Sequence, residues 1–370
     1  MKVLFDSQIF NAQKYGGISR YYVRLAENLR LIDDVSISIF SPLFINKYLS
    51  QLACDDIFRG LEVNQRLQPI SKVLSHAATH LAVSYKSPNI VHKTYYYPER
   101  YPMGNNRSVL TVYDMIHELY PENFGRFDLT SKFKYEAVKK ADHIICISEN
   151  TRSDLLRLWN CDPDKVSVVH LGFDGFQSSP LSPSITNFIK NSFGEFILFV
   201  GLRSGHKNFH RLLEAYGKDK SLHNQFNLVC FGGGAFKLEE LTEINKLGLQ
   251  SKLFQVDGED DVLCSMYLEA KLFVYPSIYE GFGIPPLEAM SVGCPVAAAI
   301  GSSISEVCGS AVEYFDPLDV DSIADSLGRV LGDYRYKERL VASGFLQSEK
   351  FSWRKCATET LNCYKAVTGR

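Results

Sequence analysis

The residues best placed to do chemistry lie in YPSIYEGFGIPPLEAMSVGCP, residues 275–295. Glu280 precedes Gly281-Phe282-Gly283-Ile284, and Glu288 follows about one turn inside a helix opened by Pro285-Pro286, since proline is tolerated in a first helical turn. Glycine lets the backbone approach a ligand closely. The N–H groups of residues 281–284 and the helix N-terminus therefore make an anion-binding surface. Two carboxylates flanking such a surface suit a hydroxyl-rich ligand, one gripping a sugar and the other a ribose. A second segment, FVGLRSGHKNFHRLLEAY at 199–216, sets Arg203 and Lys207 in a loop just before a helix. Fixed cations and helix N–H groups there can take up the charge of a diphosphate. A third, KYGGISRYYVR at 14–24, puts Gly16-Gly17 ahead of another helix, a loop that a phosphate could approach. Alone, the two cations also fit a solvated face and the glycine pair a simple turn.

Two further stretches, VHKTYYYP at 91–98 and TVYDMIHELYP at 111–121, gather His, Tyr and Asp behind strand-like runs. Asp114 is the strongest candidate among them. His117 and His92 each read equally as a cleft histidine or as a structural one.

These groups need a scaffold that brings distant loops together. Short apolar runs predict strands near residues 2–5, 35–39, 109–112, 143–147 and 166–171, with a helix from Ile18 onward. A Ser-, Pro- and Asn-rich stretch follows and reads as a linker over 176–194. Strands near 196–200, 228–231, 272–275 and 296–300 then alternate with amphipathic helices. Strand–helix alternation in both halves predicts an α/β chain of two doubly wound parallel-sheet domains, over 1–175 and 195–350, followed by a terminal segment at 351–370. In such sheets ligands bind beyond the carboxyl ends of the strands, where all these motifs fall. Within the first domain Ile70, Val73, Leu74, Ala77 and Leu81 mark an amphipathic helix, suited to a core-facing role or to contact with a lipid-linked ligand or membrane surface. Lys132, Lys134, Lys139 and Lys140 read either as a solvated face or as an attraction for anionic lipid.

The 370 residues suit two cores rather than one. A net charge of −2 argues against nucleic acid as a partner. Nine scattered cysteines without a CxxC pair read as reduced thiols of a cytoplasmic protein. The N-terminus reads as a first strand rather than a leader, and no run is long enough to span a membrane. Gly232-Gly233-Gly234 lacks the third glycine of a dinucleotide fingerprint, since Lys237 stands there. His76 and His80 lack the glutamate of a zinc helix, and both Asp-X-Asp patterns, at 162–164 and 319–321, sit where turns or helix starts want aspartate.

The phrase LFVYPSIYEGFGIPPLEAMSVGCPVAA, with its E-GFGIPPL-E spacing, resembles the donor-site signature of family-four retaining glycosyltransferases of the GT-B fold. The Gly-Arg-Lys-Asn element at 201–208, the glycine pair and the acceptor-side loops are similar to that family too, though Tyr113-Asp114 stands where many relatives carry His-Asp. The resemblance implies two Rossmann-like domains facing across a cleft. Residues 1–175 would bind the acceptor, 195–350 would bind the donor, and a terminal helix headed by Trp353 would pack back on the first domain. It implies Glu280, Asp114 and His117 as catalytic residues. It implies Gly16, Gly17, Arg203, Lys207, Gly281, Phe282, Gly283, Ile284 and Glu288 as the donor-binding set, with no metal ion. Likeness to bacterial mannosyltransferases of O-antigen and surface-polysaccharide assembly implies GDP-mannose as donor. It also implies a glycan acceptor on a polyprenyl diphosphate, and a cytoplasmic enzyme resting peripherally on the inner face of the membrane. A nucleotide-sugar epimerase and a non-catalytic sugar-nucleotide-binding subunit remain the alternatives.

Overall fold

The computed structural model describes residues 1–52, 56–97, 101, 104–176 and 183–369. Contacts divide the chain into two units, Met1–Gly172 with Ser352–Arg370, and Phe173–Phe351. Each is built on its own all-parallel six-stranded sheet.

In the first unit the strands are β1 (Lys2–Phe5), β2 (Ser36–Ile39), β5 (Ile90–Lys93), β6 (Arg107–Val112), β7 (His143–Cys146) and β8 (Val166–Val168). A separate parallel pair is formed by β3 (Leu43–Phe44) and β4 (Leu61–Glu62). The main sheet runs β2-β1-β5-β6-β7-β8. Its inner strands are buried nearly throughout, as strands covered on both faces are, whereas the edge strand β2 alternates more and less buried residues. The terminal helix Trp353–Thr368 belongs to this unit and packs along the helix Gly17–Leu29. Gly172 permits the approach, because a Cβ there would stand 2.5 Å from the Trp353 Cα.

The second unit holds β9 (Phe196–Val200), β10 (Asn227–Phe231), β11 (Leu253–Val256), β12 (Leu272–Tyr275), β13 (Val296–Ala299) and β14 (Glu313–Phe315). Their order, β11-β10-β9-β12-β13-β14, is that of a Rossmann sheet. The chain leaves β9 towards one edge and returns at β12 on its other side. The loops after these two neighbouring strands therefore diverge and leave a crevice, and Lys207 and Glu280 lie on those loops.

Two expectations change. Residues 177–182 of the expected linker lie outside the described residues, but Pro183–Phe193 is a helix of the second unit that packs on the helix Asp260–Glu269. Ile189 and Phe193 are its buried side chains, sunk far enough to order the segment. The helix Gln68–Lys86 exists, but the apolar residues expected to mark its inner face, Ile70, Val73, Leu74 and Leu81, are exposed, and of its apolar side chains Ala82 and Val83 are the buried ones. Ser71, Ser75 and Thr79 share that buried face. Among the described residues no helix is long and apolar enough to cross a membrane.

Candidate active site

The loop after β9 carries Arg203 and Lys207. The Lys207 ammonium lies 2.6 Å from Glu280 Oε1, and both side chains are largely withdrawn from water, at 21% and 14% exposure. Tyr275, at the end of β12, is buried beneath them. Its phenol bonds to Glu280 and its ring lies 5.7 Å from Lys207 Nζ. Burial first, and then the Glu280 charge, hold the Tyr275 hydroxyl well above its ordinary pKa, so it stays protonated and can donate. The two loops are also tied through the backbone, Ile278 N–H donating to His206 O at 2.8 Å. Asn208, fully buried and with φ of 58°, donates to the carbonyls of Pro276 at 3.2 Å and Pro317 at 2.7 Å. Lys207 is thus anchored by the residue that follows it, a role not apparent from the sequence.

The Gly-Phe-Gly loop is held from a third direction. Ser303 Oγ donates to the carbonyls of Glu280 and Phe282, each at 2.8 Å, and Ser302 Oγ accepts from Glu280 N–H at 3.1 Å. Both serines open the helix Ser302–Cys308 after β13. The sequence signal was Gly-Ser-Ser behind a small-residue strand, and it went unread. Phe282 is buried edge-on against Phe351, with ring centroids 5.5 Å apart. Gly283 has φ of 116°, and a Cβ there would meet Ile304 Cδ1 at 2.8 Å, so glycine is required on both counts. Ile284 opens the helix Ile284–Ser291, which carries Pro in its first turn and no acidic residue there. The helix's positive end therefore meets no carboxylate within its own first turn. Glu288, one turn on, is half-buried and accepts from the Tyr267 hydroxyl at 3.2 Å.

Arg203 is placed differently from its expected role on the donor phosphates. Its side chain is almost fully buried and each guanidinium nitrogen is engaged by the protein. Nε meets Glu240 at 2.9 Å, Nη1 meets Gly232 O at 3.0 Å, and Nη2 meets Gly234 O at 2.8 Å and Ala235 O at 3.0 Å. Phe236 covers its face at 4.7 Å. In this arrangement Arg203 fastens the glycine loop after β10 to the loop after β9.

In the first unit Gly16 ends the loop before the helix Gly17–Leu29. The Ser19 hydroxyl donates to Gly16 O at 2.9 Å and Gly17 is open to solvent, so the helix N-terminus is accessible. Asp114 follows β6. Its carboxylate accepts from Ile116 N–H at 3.0 Å and keeps a third of its surface exposed. Beneath it Lys134 is buried. Its ammonium donates to Glu118 at 2.8 Å and to Asp114 O at 2.9 Å. Lys134 therefore belongs to the scaffold beneath the loop after β6 and not to a lipid-attracting face. His117 stacks on Phe124 at 3.8 Å, lies 3.8 Å from Asp128, and lines a cavity of about 560 Å³ with Glu118, Arg126 and Trp159. Burial, then the Lys134 charge, lower its pKa. His92 is a core residue. Nδ1 meets the Tyr364 hydroxyl at 2.6 Å, Nε2 meets Thr111 Oγ1 at 2.8 Å, and burial pushes its pKa down to about 3. Asp6, at the end of β1, was also missed. This fully buried carboxylate accepts from Thr94 N–H at 2.9 Å, Thr94 Oγ1 at 2.6 Å and the Tyr101 hydroxyl at 3.0 Å, bracing the loops after β1 and β5. Asp162 and Asp319 each cap a helix, accepting from the N–H two residues on.

Sequence comparison agrees with this geometry. The family model described as Glycosyl transferases group 1 matches residues 186–346, and that described as Glycosyltransferase Family 4 matches residues 15–174. The chain is 31% identical over 294 residues to O-antigen chain mannosyltransferase B of Escherichia coli, an overlap of 76% of this chain and 74% of the relative. It is 26% identical to O-antigen chain mannosyltransferase RfbU of Salmonella typhimurium, covering 83% of this chain and 84% of that one. A glycosyltransferase from Rickettsia africae shares the fold, with a TM-score of 0.71 at 18% identity over 99% of this chain and 98% of that one. With two parallel-sheet units and the glutamate, lysine and glycine elements gathered at one switch point, the chain belongs to the family-four glycosyltransferases of the GT-B fold.

Proposed function

We propose that this glycosyltransferase moves a mannosyl residue from GDP-mannose to a lipid-diphosphate-linked glycan in surface-polysaccharide assembly, retaining the anomeric configuration and using no metal ion. The observation that carries the reading is the Lys207–Glu280 pair at the β9/β12 switch point. A diphosphate entering there meets the Lys207 ammonium and the N-terminus of the helix Ile284–Ser291. As Lys207 turns to the phosphate, Glu280 is released to accept from sugar hydroxyls, and Glu288 accepts from the ribose. The acceptor hydroxyl attacks the anomeric carbon from the side the diphosphate leaves. The C–O bond to the nucleoside diphosphate breaks, the new glycosidic bond forms, and a departing phosphate oxygen takes the hydroxyl proton. Asp114 orients the acceptor. Acceleration comes from positioning and from charge stabilisation of the leaving group. The mannose and polysaccharide parts rest on the two O-antigen chain mannosyltransferase relatives.

Thermal shift against GDP, UDP, ADP, NAD and the common sugar nucleotides tests the donor, because a ligand that binds only the folded state raises its melting temperature. Selective stabilisation by GDP and GDP-mannose is the expected result. A preference for UDP-sugars overturns the mannosyl assignment, and stabilisation by NAD alone overturns the donor site itself. The anomeric configuration of the transferred sugar, read by NMR of the product, decides between retention and inversion.

A further inference from the structure

The cavity beside His117 is bordered by polar atoms that the protein itself leaves unmet. Its volume of about 560 Å³ lies within the roughly 300–1,000 Å³ of small-molecule sites. The loop after β6 that lines it is closed by its own turns. Phe124 N–H donates to Pro121 O at 3.1 Å, Asp128 N–H to Gly125 O at 2.8 Å and Thr130 N–H to Asp128 Oδ1 at 2.7 Å. Trp159, the last residue of the helix Glu149–Trp159, adds a wall and is set edge-on against Tyr135 at 5.4 Å. His117 and Glu118 both line the space. Each keeps one buried atom without a hydrogen-bond partner, Nδ1 of the imidazole and Oε1 of the carboxylate. Glu118 is only 6% exposed, and its other oxygen is taken by Lys134 at 2.8 Å. A buried polar atom left unmet costs about 1–3 kcal/mol, and native structures retain few of them. Two such atoms on consecutive residues of one cavity mark a place where a ligand supplies the missing bonds.

The lining defines the ligand's chemistry. Phe124 and Trp159 offer aromatic rings, whose negative faces attract the weakly positive C–H groups of a pyranose. His117 is held neutral by burial and by the Lys134 charge, so one ring nitrogen donates and the other accepts, as a hydroxyl group requires. Glu118 and Asp128 accept, and Arg126 donates. The charges balance in number, these two carboxylates against Arg126 and the Lys134 beneath, so the lining selects neither an anion nor a cation. A neutral, hydroxyl-rich ring fits it. Position adds a further constraint. The Lys134 ammonium also meets Asp114 O at 2.9 Å and lies 3.8 Å from Asp114 Oδ1, so a single ammonium separates Glu118 from Asp114.

We propose that this cavity seats a neutral pyranose unit of the glycan acceptor, the unit next to the one whose hydroxyl attacks, with His117 and Glu118 bonding its hydroxyls and Trp159 against its ring. The inference deepens the acceptor reading above and rests on it, since there Asp114 orients the reacting unit. Neighbouring units of one glycan can bridge two carboxylates that share an ammonium. His117 is then a binding residue for the second sugar and not a catalytic one. Two weak subsites filled by one ligand reinforce each other, so the enzyme tells a glycan that fills both from a free sugar that fills only one.

The test is saturation-transfer NMR of the full chain, without nucleotide, against the methyl α-glycosides of mannose, glucose, galactose and N-acetylglucosamine at millimolar concentration. At least one sugar should receive saturation. Its dissociation constant should rise about tenfold in Trp159→Ala and in His117→Phe, the loss of one ordinary contact. His117→Phe keeps a ring to stack on Phe124 and removes a buried atom that has no partner, so it should not lower the melting temperature. That variant keeps the test open if Trp159→Ala loses its packing on Tyr135 and unfolds. No saturation of any of these sugars overturns the proposal, and so does a signal that His117→Phe leaves unchanged. Displacement of the sugar by GDP, or its loss in Lys207→Ala, would assign the signal to the donor crevice. Displacement by inorganic phosphate would assign the cavity to an anion. The GDP-induced thermal shift is read separately, so failure here leaves the donor site standing and failure there leaves this cavity standing.

Discussion

Truncating either partner of the Lys207–Glu280 pair strands a charge in a largely desolvated crevice. An exposed ion pair contributes at most about 1 kcal/mol, and breaking a fully buried one costs about 3–5 kcal/mol. At 21% and 14% exposure the pair lies between these limits, so Lys207→Ala should cost the ligand-free protein about 1–2 kcal/mol. In a unit of this size that is a fall of about 2–8 °C in melting temperature. The double variant Lys207→Ala/Glu280→Ala removes both charges and should recover part of the loss, because no unpaired carboxylate remains. Turnover should behave differently. Losing one fixed donor to the leaving diphosphate costs about a hundred- to a thousandfold, and the double variant should be no less impaired than the worse single one. Urea unfolding of all four proteins, with initial-rate transfer from GDP-mannose, closes both cycles. If Lys207→Ala retained turnover within about threefold of wild type, or if the two losses added fully in stability, the pair would not be the unit described here.

Three other expectations follow from single contacts. Arg203→Lys cannot reach three carbonyls and Glu240 at once, so it should cost about 3 kcal/mol in urea unfolding; unchanged stability with lost turnover would mean that Arg203 serves the phosphates directly. Gly283→Ala should lose about 1–3 kcal/mol from its positive φ alone, and more from Ile304. Adding Ile304→Val, which deletes the colliding Cδ1, should restore part of the melting temperature but not all of it. His92, with a folded pKa of about 3, is held neutral where the unfolded chain would protonate it near 6.5. The unfolded state therefore binds more protons between these values, and stability falls as pH drops through that window. This histidine contributes a slope of about 1.4 kcal/mol per pH unit, and His92→Gln should flatten the measured profile by that amount relative to wild type.

Much of the candidate site's local geometry was legible because it lies within short segments. Glu280, the Gly-Phe-Gly turn, the Pro-opened helix and Lys207 all sit within short runs behind strands, and a parallel sheet must present such loops at one end. What escaped the sequence depends on partners remote in the chain. Arg203 and Lys207 look alike as loop cations, yet Arg203 is taken by Gly232, Gly234 and Glu240, about thirty residues away. Ser302 and Ser303 brace a loop more than twenty residues upstream. His92 could be told from a cleft histidine only once Tyr364, from the opposite end of the chain, was seen against it. The helix Pro183–Phe193 was obscured by the Ser- and Pro-rich run before it, although Ile185, Phe188, Ile189 and Phe193 carry a helical period.

The helix Gln68–Lys86 shows why period and orientation are separate inferences. Its apolar spacing predicts a helix correctly, but an amphipathic pattern has two faces, and the assumption that the apolar one turns inward holds only when the polar one has nothing better to bond. Here the Ser, Thr and Gln side chains of the polar face find Asn11, Ser7 and Leu43. Each buried hydroxyl left without a partner would cost about 1–3 kcal/mol, comparable to burying one of the apolar side chains on the other face. The apolar face is then free to serve an environment other than the core.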